Sequence, residues 1–179
     1  MTNEAVTNER RTGDVVIVGA PGAGKSTVGR LLAERLDVGF TDVDAAIEQT
    51  SGRTIGDIFA EDGEPAFRAL EESATRTALD GAGVIALGGG AVMSPTIRAA
   101  LAGRTVVWLE VAAASAISRA GLDQARPLLM GNVRGTLIKL LGERTPLYRA
   151  VATHTVTNDG DDPTAVVEQI VELLSASSR

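Results

Sequence analysis

Residues 15–27 read VVIVGAPGAGKST, and this stretch decides the fold. Its first four residues form a continuous apolar run, which is typical of a strand buried on both faces of a parallel sheet. Residues 19–26 match the pattern G-x-x-x-x-G-K-[ST] at every fixed position. From about residue 25 to residue 36, apolar residues recur at helical spacing, which predicts a helix. A strand, a glycine-rich turn and a helix in this order predict a loop that binds phosphate.

The chemistry of this P-loop follows from its residue types. Glycines let backbone N–H groups converge on phosphate oxygens, and the helix N-terminus adds partial positive charge. The Lys25 ammonium can neutralise the β- and γ-phosphates, and the Ser26 hydroxyl can bind Mg²⁺. The nucleotide-binding residues predicted in the loop are Gly22, Ala23, Gly24, Lys25, Ser26 and Thr27.

Composition excludes several function classes. The 179 residues suit one α/β domain, and the absence of cysteine excludes disulfides, thiolate metal sites and cysteine nucleophiles. The single histidine, His154, has no neighbours that suggest a hydrolase or a metal site. A net charge of −6 argues against general nucleic-acid binding. No apolar run is long enough to span a membrane, and residues 1–12 lack a signal-peptide core, so we expect a cytoplasmic protein.

Strands and helices alternate along the rest of the chain. Further strands are predicted at residues 40–41, 84–87, 105–109 and 153–157. This alternation predicts an α/β protein with the three-layer P-loop NTPase fold, a mostly parallel sheet of about five strands and helices on both faces. Residues 1–13 are predicted to be a flexible tail and residues 14–175 a single domain.

Several helix boundaries can be predicted from single residues. Thr54 is expected to cap a short helix to residue 60, followed by a separate helix over residues 64–80. Gly52 is expected to end the helix before it. Ser94 and Pro95 are expected to be the N-cap and the first residue of another helix. A helix over residues 133–141 is expected to stop before a new short helix that starts at Thr145 and Pro146.

Two carboxylates follow the second predicted strand. Asp42 and Asp44 stand two residues apart, so on an extended chain both side chains point the same way. One can then hold the magnesium shell while the other meets a substrate hydroxyl. Two acids that stabilise a helix N-terminus through its dipole explain the pair equally well.

Other segments carry candidate binding groups. Arg68 and Glu71 share a helix face, so Arg68 can clamp a carboxylate with Glu71 orienting it; a surface ion pair is the alternative. Residues 88–90 are three glycines at the end of a strand, where open α/β sheets place their ligands, or else a plain turn. Arg126 lies in an irregular segment that can act as a lid, and Arg144 precedes a predicted helix start. Taken singly, solvated side chains explain both arginines.

In their order and spacing, these segments resemble those of the shikimate kinase family. After the P-loop come D-V-D (42–44), F-R-x-x-E (67–71), L-G-G-G-A-V (87–92), R-P-L-L (126–129) and R-x-P-L-Y (144–148). The resemblance extends over about residues 15–174. It implies transfer of the ATP γ-phosphoryl group to the 3-hydroxyl of shikimate, giving shikimate 3-phosphate and ADP, on the route to chorismate and aromatic amino acids. It implies ATP and Mg²⁺ as cofactors.

The resemblance also implies roles on the acceptor side. The substrate-binding residues that it implies are Asp44, Arg68, Gly89, Gly90 and Arg144. Asp44 would bind the shikimate hydroxyls and act as the base or orienting group, while the two arginines would hold the carboxylate. Ser26 and Asp42 would support Mg²⁺. The helical segment at about residues 44–72 would be the substrate-binding part.

On the nucleotide side, the resemblance makes Lys25 and Arg126 catalytic, with Arg126 on a lid at about residues 121–133. Arg119 would flank the adenine, and Pro163 would close its other side as part of a loop at residues 157–163. Well-known members carry an arginine in that loop that touches ATP. Here residues 158–162 read NDGDD, so this chain departs from the family at that position.

Two rival interpretations remain. One is another small-molecule P-loop kinase, acting for example on gluconate or an antibiotic hydroxyl; the pair Arg68 and Arg144 discriminates, because it predicts a carboxylate on the acceptor. The other is a nucleotide-binding regulator without catalysis, which would have no use for Asp44 as a substrate base. We expect a monomer, because no predicted helix shows a second apolar stripe.

Overall fold

The computed structural model describes residues 14–120, 133–160 and 162–177. Within these residues, five strands form one sheet in the order β2-β3-β1-β4-β5, and all four pairings are parallel. The strands are β1 (Val15–Val18), β2 (Phe40–Asp42), β3 (Val84–Ala86), β4 (Val106–Glu110) and β5 (His154–Thr157). The predicted fold class is confirmed. Because β1 is the central strand, the glycine-rich loop that follows it lies in the middle of one sheet edge.

Helices connect these strands and cover the sheet. They are α1 (Lys25–Leu36), α2 (Val43–Ser51), α3 (Ile55–Leu79), α4 (Pro95–Ala100), α5 (Ala113–Ala120), α6 (Val133–Val151) and α7 (Pro163–Ser177). Helix α1 packs against α7, whereas α3, α4 and α6 pack around a 3₁₀ turn at Ala91–Met93 that sequence analysis did not predict.

The core is aliphatic and centred on β1. All four β1 side chains are buried, and Val16 lies between Ile85 of β3 and Val106 of β4. Continuous burial is what the apolar run at residues 15–18 predicted, since a central parallel strand has helices against both faces. This rigid strand fixes the start of the phosphate-binding loop.

Local capping signals were read correctly. The Thr54 hydroxyl accepts a hydrogen bond from the Asp57 amide at 3.0 Å and begins α3. Gly52 adopts φ 67° and ends α2, as expected for a left-handed C-terminal glycine. Ser94 caps α4, with Pro95 at its first position. Each signal involves residues within a few positions of one another, which is why the sequence predicts them well.

The predicted break between two helices near residue 60 is a kink within one helix. Helix α3 runs as one element from Ile55 to Leu79, but Gly63 inside it has φ 82° and ψ 171°, which is not helical. Phe59 and Phe67 pack across this kink with ring centroids 4.6 Å apart and ring planes tilted by 36°. This aromatic contact joins the two parts of α3.

The predicted break before Pro146 is wrong. Helix α6 continues from Val133 to Val151 with Pro146 inside it. Proline removes the amide that would bond to the carbonyl four residues earlier. Here Leu147 and Tyr148 pack against the core on the same helix face as Leu140, and this packing carries the helix through the proline.

The remaining domain expectations lie partly outside the described residues, namely the tail (residues 1–13) and residues 121–132 of the lid with Arg126. Among the described helices, none combines the length and the apolar character needed to cross a membrane.

Candidate active site

The phosphate-binding loop (residues 19–24) needs glycine at two positions. Gly22 and Gly24 have φ 80° and 83°, a conformation that other residues rarely adopt. A Cβ at Gly22 would also lie 2.8 Å from the carbonyl oxygen of Ala116. The close contact with α5 therefore leaves no room for a side chain in this part of the loop.

The start of α1 is left without a side-chain cap. Gly24 occupies the N-cap position and makes no capping hydrogen bond, whereas Asp42, Thr54 and Ser94 cap α2, α3 and α4 with their side chains. The first amides of a helix have no partner within the helix and carry partial positive charge. An anion at the end of α1 would satisfy them, as phosphate does at helix N-termini.

Lys25 adds a full positive charge to this position. Its side chain is nearly buried, and Nζ donates to the Ala20 carbonyl at 3.0 Å. The contact folds the lysine back over its own loop, toward a cavity of about 290 Å³ that Lys25 lines together with Ser26 and Asp44. The predicted place of Lys25 beside the phosphate loop agrees with this geometry.

Asp42 and Asp44 reach the same cavity from different elements. Asp42 is the last residue of β2; it accepts a hydrogen bond from the Ser26 hydroxyl and caps α2 by accepting from the Ala45 amide at 3.2 Å. Asp44 lies in the first turn of α2. The expectation of two carboxylates on extended chain is wrong in this detail, because the strand ends between them. Both still line the 290 Å³ cavity, so the helix-terminus role and the site position coexist.

The three glycines at residues 88–90, named here the glycine turn, lie against groups from the phosphate loop, α2 and α3. A Cβ at Gly88 would lie 2.8 Å from Asp44 Oδ1 and would overlap a carboxylate oxygen of Glu71. At Gly89 it would lie 2.9 Å from Pro21 of the phosphate loop, and at Gly90 it would overlap the Arg68 guanidinium. Only residues without side chains allow these groups to approach so closely.

Arg68 is held in place by carboxylates. Its Nη1 donates to Glu71 Oε2 at 2.6 Å, and Nη2 donates to Glu64 Oε1 at 3.1 Å. Burial alone would lower the pKa of Arg68, but the two glutamates outweigh it and raise the pKa above its ordinary value. Burial raises the pKa of Glu71, although the Arg68 guanidinium acts in the opposite direction. The expected pair Arg68 and Glu71 is thus a partly buried ion pair rather than a surface one.

Arg144 reaches the same cluster from α6. It lies within that helix, so its predicted place just before a helix start is wrong. Only 5% of the residue is exposed. The positive charge of Arg144 lowers the pKa of Glu71, against the larger effect of burial. Its Nε is buried and has no hydrogen-bond partner among the described residues. Arg68 and Arg144 also line one open cleft of about 1080 Å³ together with Gly90.

Arg119 on α5 donates hydrogen bonds to two separate loops. Its Nη1 donates to the Asn158 carbonyl at 2.7 Å and, more weakly, to the Gly22 carbonyl at 3.4 Å, while Nη2 donates to the Gly160 carbonyl at 2.6 Å. Arg119 therefore joins the phosphate loop to the loop after β5. Pro163 follows that loop as the first residue of α7.

Sequence analysis missed two buried groups. Asn158 donates from Nδ2 to the Ala23 carbonyl at 2.8 Å, and a Cβ on Gly24 would lie 2.7 Å from the same nitrogen. The Tyr148 hydroxyl donates to the Gly89 carbonyl. A signal for Asn158 exists, since polar residues just after a parallel strand often face the ligand edge; Tyr148 carried no signal beyond its place in the R-x-P-L-Y segment.

No group of three or more acidic or histidine side chains that could hold a metal ion occurs in the described part of the chain.

A phosphate loop on the central strand, two carboxylates beside it and two arginines across a glycine turn define a P-loop kinase with a small-molecule acceptor. The model of the shikimate kinase family matches residues 21–175 of the chain. The chain belongs to the shikimate kinase family.

Known shikimate kinases are similar to this chain over nearly its full length. The shikimate kinases of Thermobifida fusca and Mycobacterium tuberculosis are both 53% identical, over 90% and 91% of this chain and 95% and 94% of their own lengths. A shikimate kinase from Acinetobacter baumannii, solved in complex with shikimate, has a TM-score of 0.91 at 36% identity and covers 94% of this chain and 96% of its own. A gluconokinase from Sinorhizobium meliloti covers 93% of this chain and 94% of its own at 17% identity and a TM-score of 0.57, so it shares the fold alone.

Proposed function

We propose that this protein transfers the γ-phosphoryl group of ATP to the 3-hydroxyl of shikimate, giving shikimate 3-phosphate and ADP, and so serves the synthesis of chorismate and aromatic amino acids. One observation carries the assignment of the site. The glycine turn lies against Asp44, Arg68 and Pro21 of the phosphate loop at once, so acceptor groups and phosphate groups meet at one place.

The acceptor carboxylate is assigned to Arg68 and Arg144. Both guanidinium groups are close enough to Glu71 to lower its pKa, and both residues line the 1080 Å³ cleft. A buried donor without a partner costs about 1–3 kcal/mol, and a ligand carboxylate would supply the acceptor that the Arg144 Nε needs. Guanidinium forks suit a planar carboxylate better than lysines do, which favours an organic acid as substrate. In this assignment residues 44–72 are the acceptor-binding segment.

The acceptor hydroxyls are assigned to Asp44. Its carboxylate lines the cavity that also holds Lys25, and Asp44 Oδ1 faces the glycine turn. A carboxylate in this position can orient the attacking hydroxyl and accept its proton as the oxygen bonds to phosphorus. Gly89 and Gly90 offer backbone groups beside it.

The phosphate groups are assigned to the loop and to the uncapped start of α1. Lys25 brings positive charge to the oxygens on which negative charge develops, and phosphoryl transfer depends mainly on such positioning and neutralisation. Arg119 and Pro163 are assigned to the adenine. Arg126, which lies outside the described residues, is proposed to reach the transferring phosphate from the lid at about residues 121–133.

Ser26 and Asp42 are the residues that would hold Mg²⁺. Their hydroxyl and carboxylate oxygens are in contact at the mouth of the phosphate cavity, and oxygen ligands of these two kinds are those Mg²⁺ prefers. When bound, the ion would neutralise charge on the β- and γ-phosphates.

The test is the release of ADP from MgATP with a panel of acceptors. We expect turnover with shikimate and none with gluconate or aminoglycosides. Turnover with gluconate and none with shikimate would show that the acceptor is misassigned. ATP binding without turnover on any acceptor would favour a regulator.

We further propose a cytoplasmic monomer. Large apolar side chains that are exposed on the described part of the chain are Leu70, Met93 and Ile138. No described helix carries more than one of them, so none presents a second apolar stripe for a partner subunit. Light scattering after size exclusion checks this, and a stable dimer mass would contradict it.

A further inference from the structure

Tyr148 is a buried polar side chain that the assignment of the acceptor site leaves without a role. It lies on α6 one turn after Arg144, is 1% exposed, and stacks on Trp108 of β4 with ring centroids 6.2 Å apart. Its hydroxyl donates to the Gly89 carbonyl at 2.5 Å. Burial raises the pKa of Tyr148 to about 12, so the hydroxyl keeps its proton and remains a donor at neutral pH.

The Gly89 carbonyl belongs to the peptide that links Gly89 to Gly90. This peptide is trans, because no cis peptide bond occurs in the described residues. In a trans peptide the C=O and the N–H point in opposite directions. With the Gly89 oxygen directed at Tyr148, the Gly90 N–H is directed away from it, and Gly90 lines the cleft of Arg68 and Arg144.

The Gly89–Gly90 peptide is conformationally free, so its orientation must be fixed by an interaction with another part of the protein. A Gly-Gly peptide can rotate with little steric cost, because neither residue has a Cβ. The Trp108 stack holds the tyrosine ring, and the ring holds the hydroxyl at the carbonyl. Because Tyr148 lies on α6, its hydrogen bond to the Gly89 carbonyl connects this helix to the glycine turn. The same hydroxyl interacts with the Arg144 guanidinium, which lowers the pKa of Tyr148 against the larger effect of burial.

We propose that Tyr148 is a positioning residue for the acceptor: its hydroxyl fixes the Gly89–Gly90 peptide and thereby the direction of the Gly90 N–H toward the substrate carboxylate beside Arg144. This inference rests on the proposed function. It makes Tyr148 act through the turn and the arginine, without contact to the reacting atoms.

The test is Tyr148→Phe, which removes the hydroxyl and keeps the ring on Trp108. With MgATP saturating, we expect the KM for shikimate to rise about 5- to 10-fold, the effect of one lost hydrogen bond, while the KM for ATP stays within about twofold. The control is Ile170→Val on α7, a fully buried position in the core, which should lower the melting temperature and move neither KM.

Binding is measured separately by the fluorescence of Trp108, the only tryptophan in the chain and the ring on which Tyr148 stacks. The change in this fluorescence on adding shikimate comes from folded molecules alone, because only they bind the ligand. We expect weaker shikimate binding by Tyr148→Phe than by wild type, in the same ratio as the KM values.

Three outcomes overturn the inference. An unchanged KM for shikimate with a lower melting temperature would leave Tyr148 with a structural role only. An equal rise of both KM values would place its effect on the whole site. If wild-type protein neither binds nor phosphorylates shikimate, the proposed function itself is wrong and the inference is lost with it.

Discussion

Gly90→Ala tests the acceptor site with the smallest possible change. Gly90 has φ −100° and ψ −6°, a region with negative φ that is open to alanine, so the backbone should tolerate the substitution. The new Cβ would lie 2.5 Å from Cζ and 2.6 Å from Nη2 of Arg68. These atoms are the far end of a flexible side chain, so the arginine should move while the fold stays intact.

The size of the effect follows from what Arg68 loses. A hydrogen bond to a charged group is worth about 1.5–3 kcal/mol, so displacing the guanidinium should raise the KM for shikimate about 10- to 150-fold. Removing it in Arg68→Ala should cost about 2–4 kcal/mol, because a buried carboxylate loses its charged partner. The KM for ATP should change little in either variant.

The assay is ADP release with shikimate varied at saturating MgATP, together with the melting temperature. Gly142→Ala on α6 is the matched control, because a Cβ there meets nothing within 4 Å; neither KM should change. Gly90→Ala and Arg68→Ala should be far from additive in the double variant, since both act on one guanidinium. Full additivity, or a normal KM in Gly90→Ala, would refute the reasoning.

Three further predictions concern the nucleotide side. Lys25→Ala should lower kcat at least about 100-fold with the melting temperature nearly unchanged, and a near-normal kcat in the ADP assay would remove the lysine from the mechanism. Ser26→Ala should raise the Mg²⁺ concentration for half-maximal activity about tenfold, a difference of roughly 1.4 kcal/mol; an unaltered Mg²⁺ titration would contradict the metal assignment. Asn158→Ala removes the side chain that holds the Ala23 carbonyl and should raise the KM for ATP about tenfold while sparing the KM for shikimate, so an effect on shikimate alone would disprove this role.

The sequence predicts those parts of the structure that are encoded within a few residues. The phosphate loop combines an apolar strand, glycines and a helix start in residues 15–27, and each part constrains the next. The caps at Thr54 and Ser94 depend on amides three residues away. Such signals are local, so a single sequence is enough to predict them.

A single sequence does not predict conformations that depend on residues far apart in the chain. The hydroxyl of Tyr148 bonds to a carbonyl 59 residues away, and the Asn158 amide bonds to one 135 residues away. The continuation of α6 through Pro146 has the same origin, because packing against the core outweighs the local preference of proline to start a helix. No periodicity in one segment can reveal such contacts.

The loop after β5 reads NDGDD at residues 158–162, where the family resemblance implies an arginine. Asp159 accepts a hydrogen bond from the Ala112 amide at 2.6 Å, and the Asp162 carboxylate accepts one from the Thr164 amide at 2.9 Å. These two acids therefore serve the loop and the start of α7. Carbonyl groups of the same loop hold Arg119. Among the described residues that line the 290 Å³ cavity, Arg119 is the arginine.

The most direct test is a crystal structure of the protein with shikimate and a non-hydrolysable MgATP analogue. We expect the shikimate carboxylate between the guanidinium groups of Arg68 and Arg144, the shikimate 3-hydroxyl at Asp44, and the γ-phosphate at Lys25. A shikimate bound with its carboxylate away from both arginines, or a triphosphate outside the loop after β1, would contradict it.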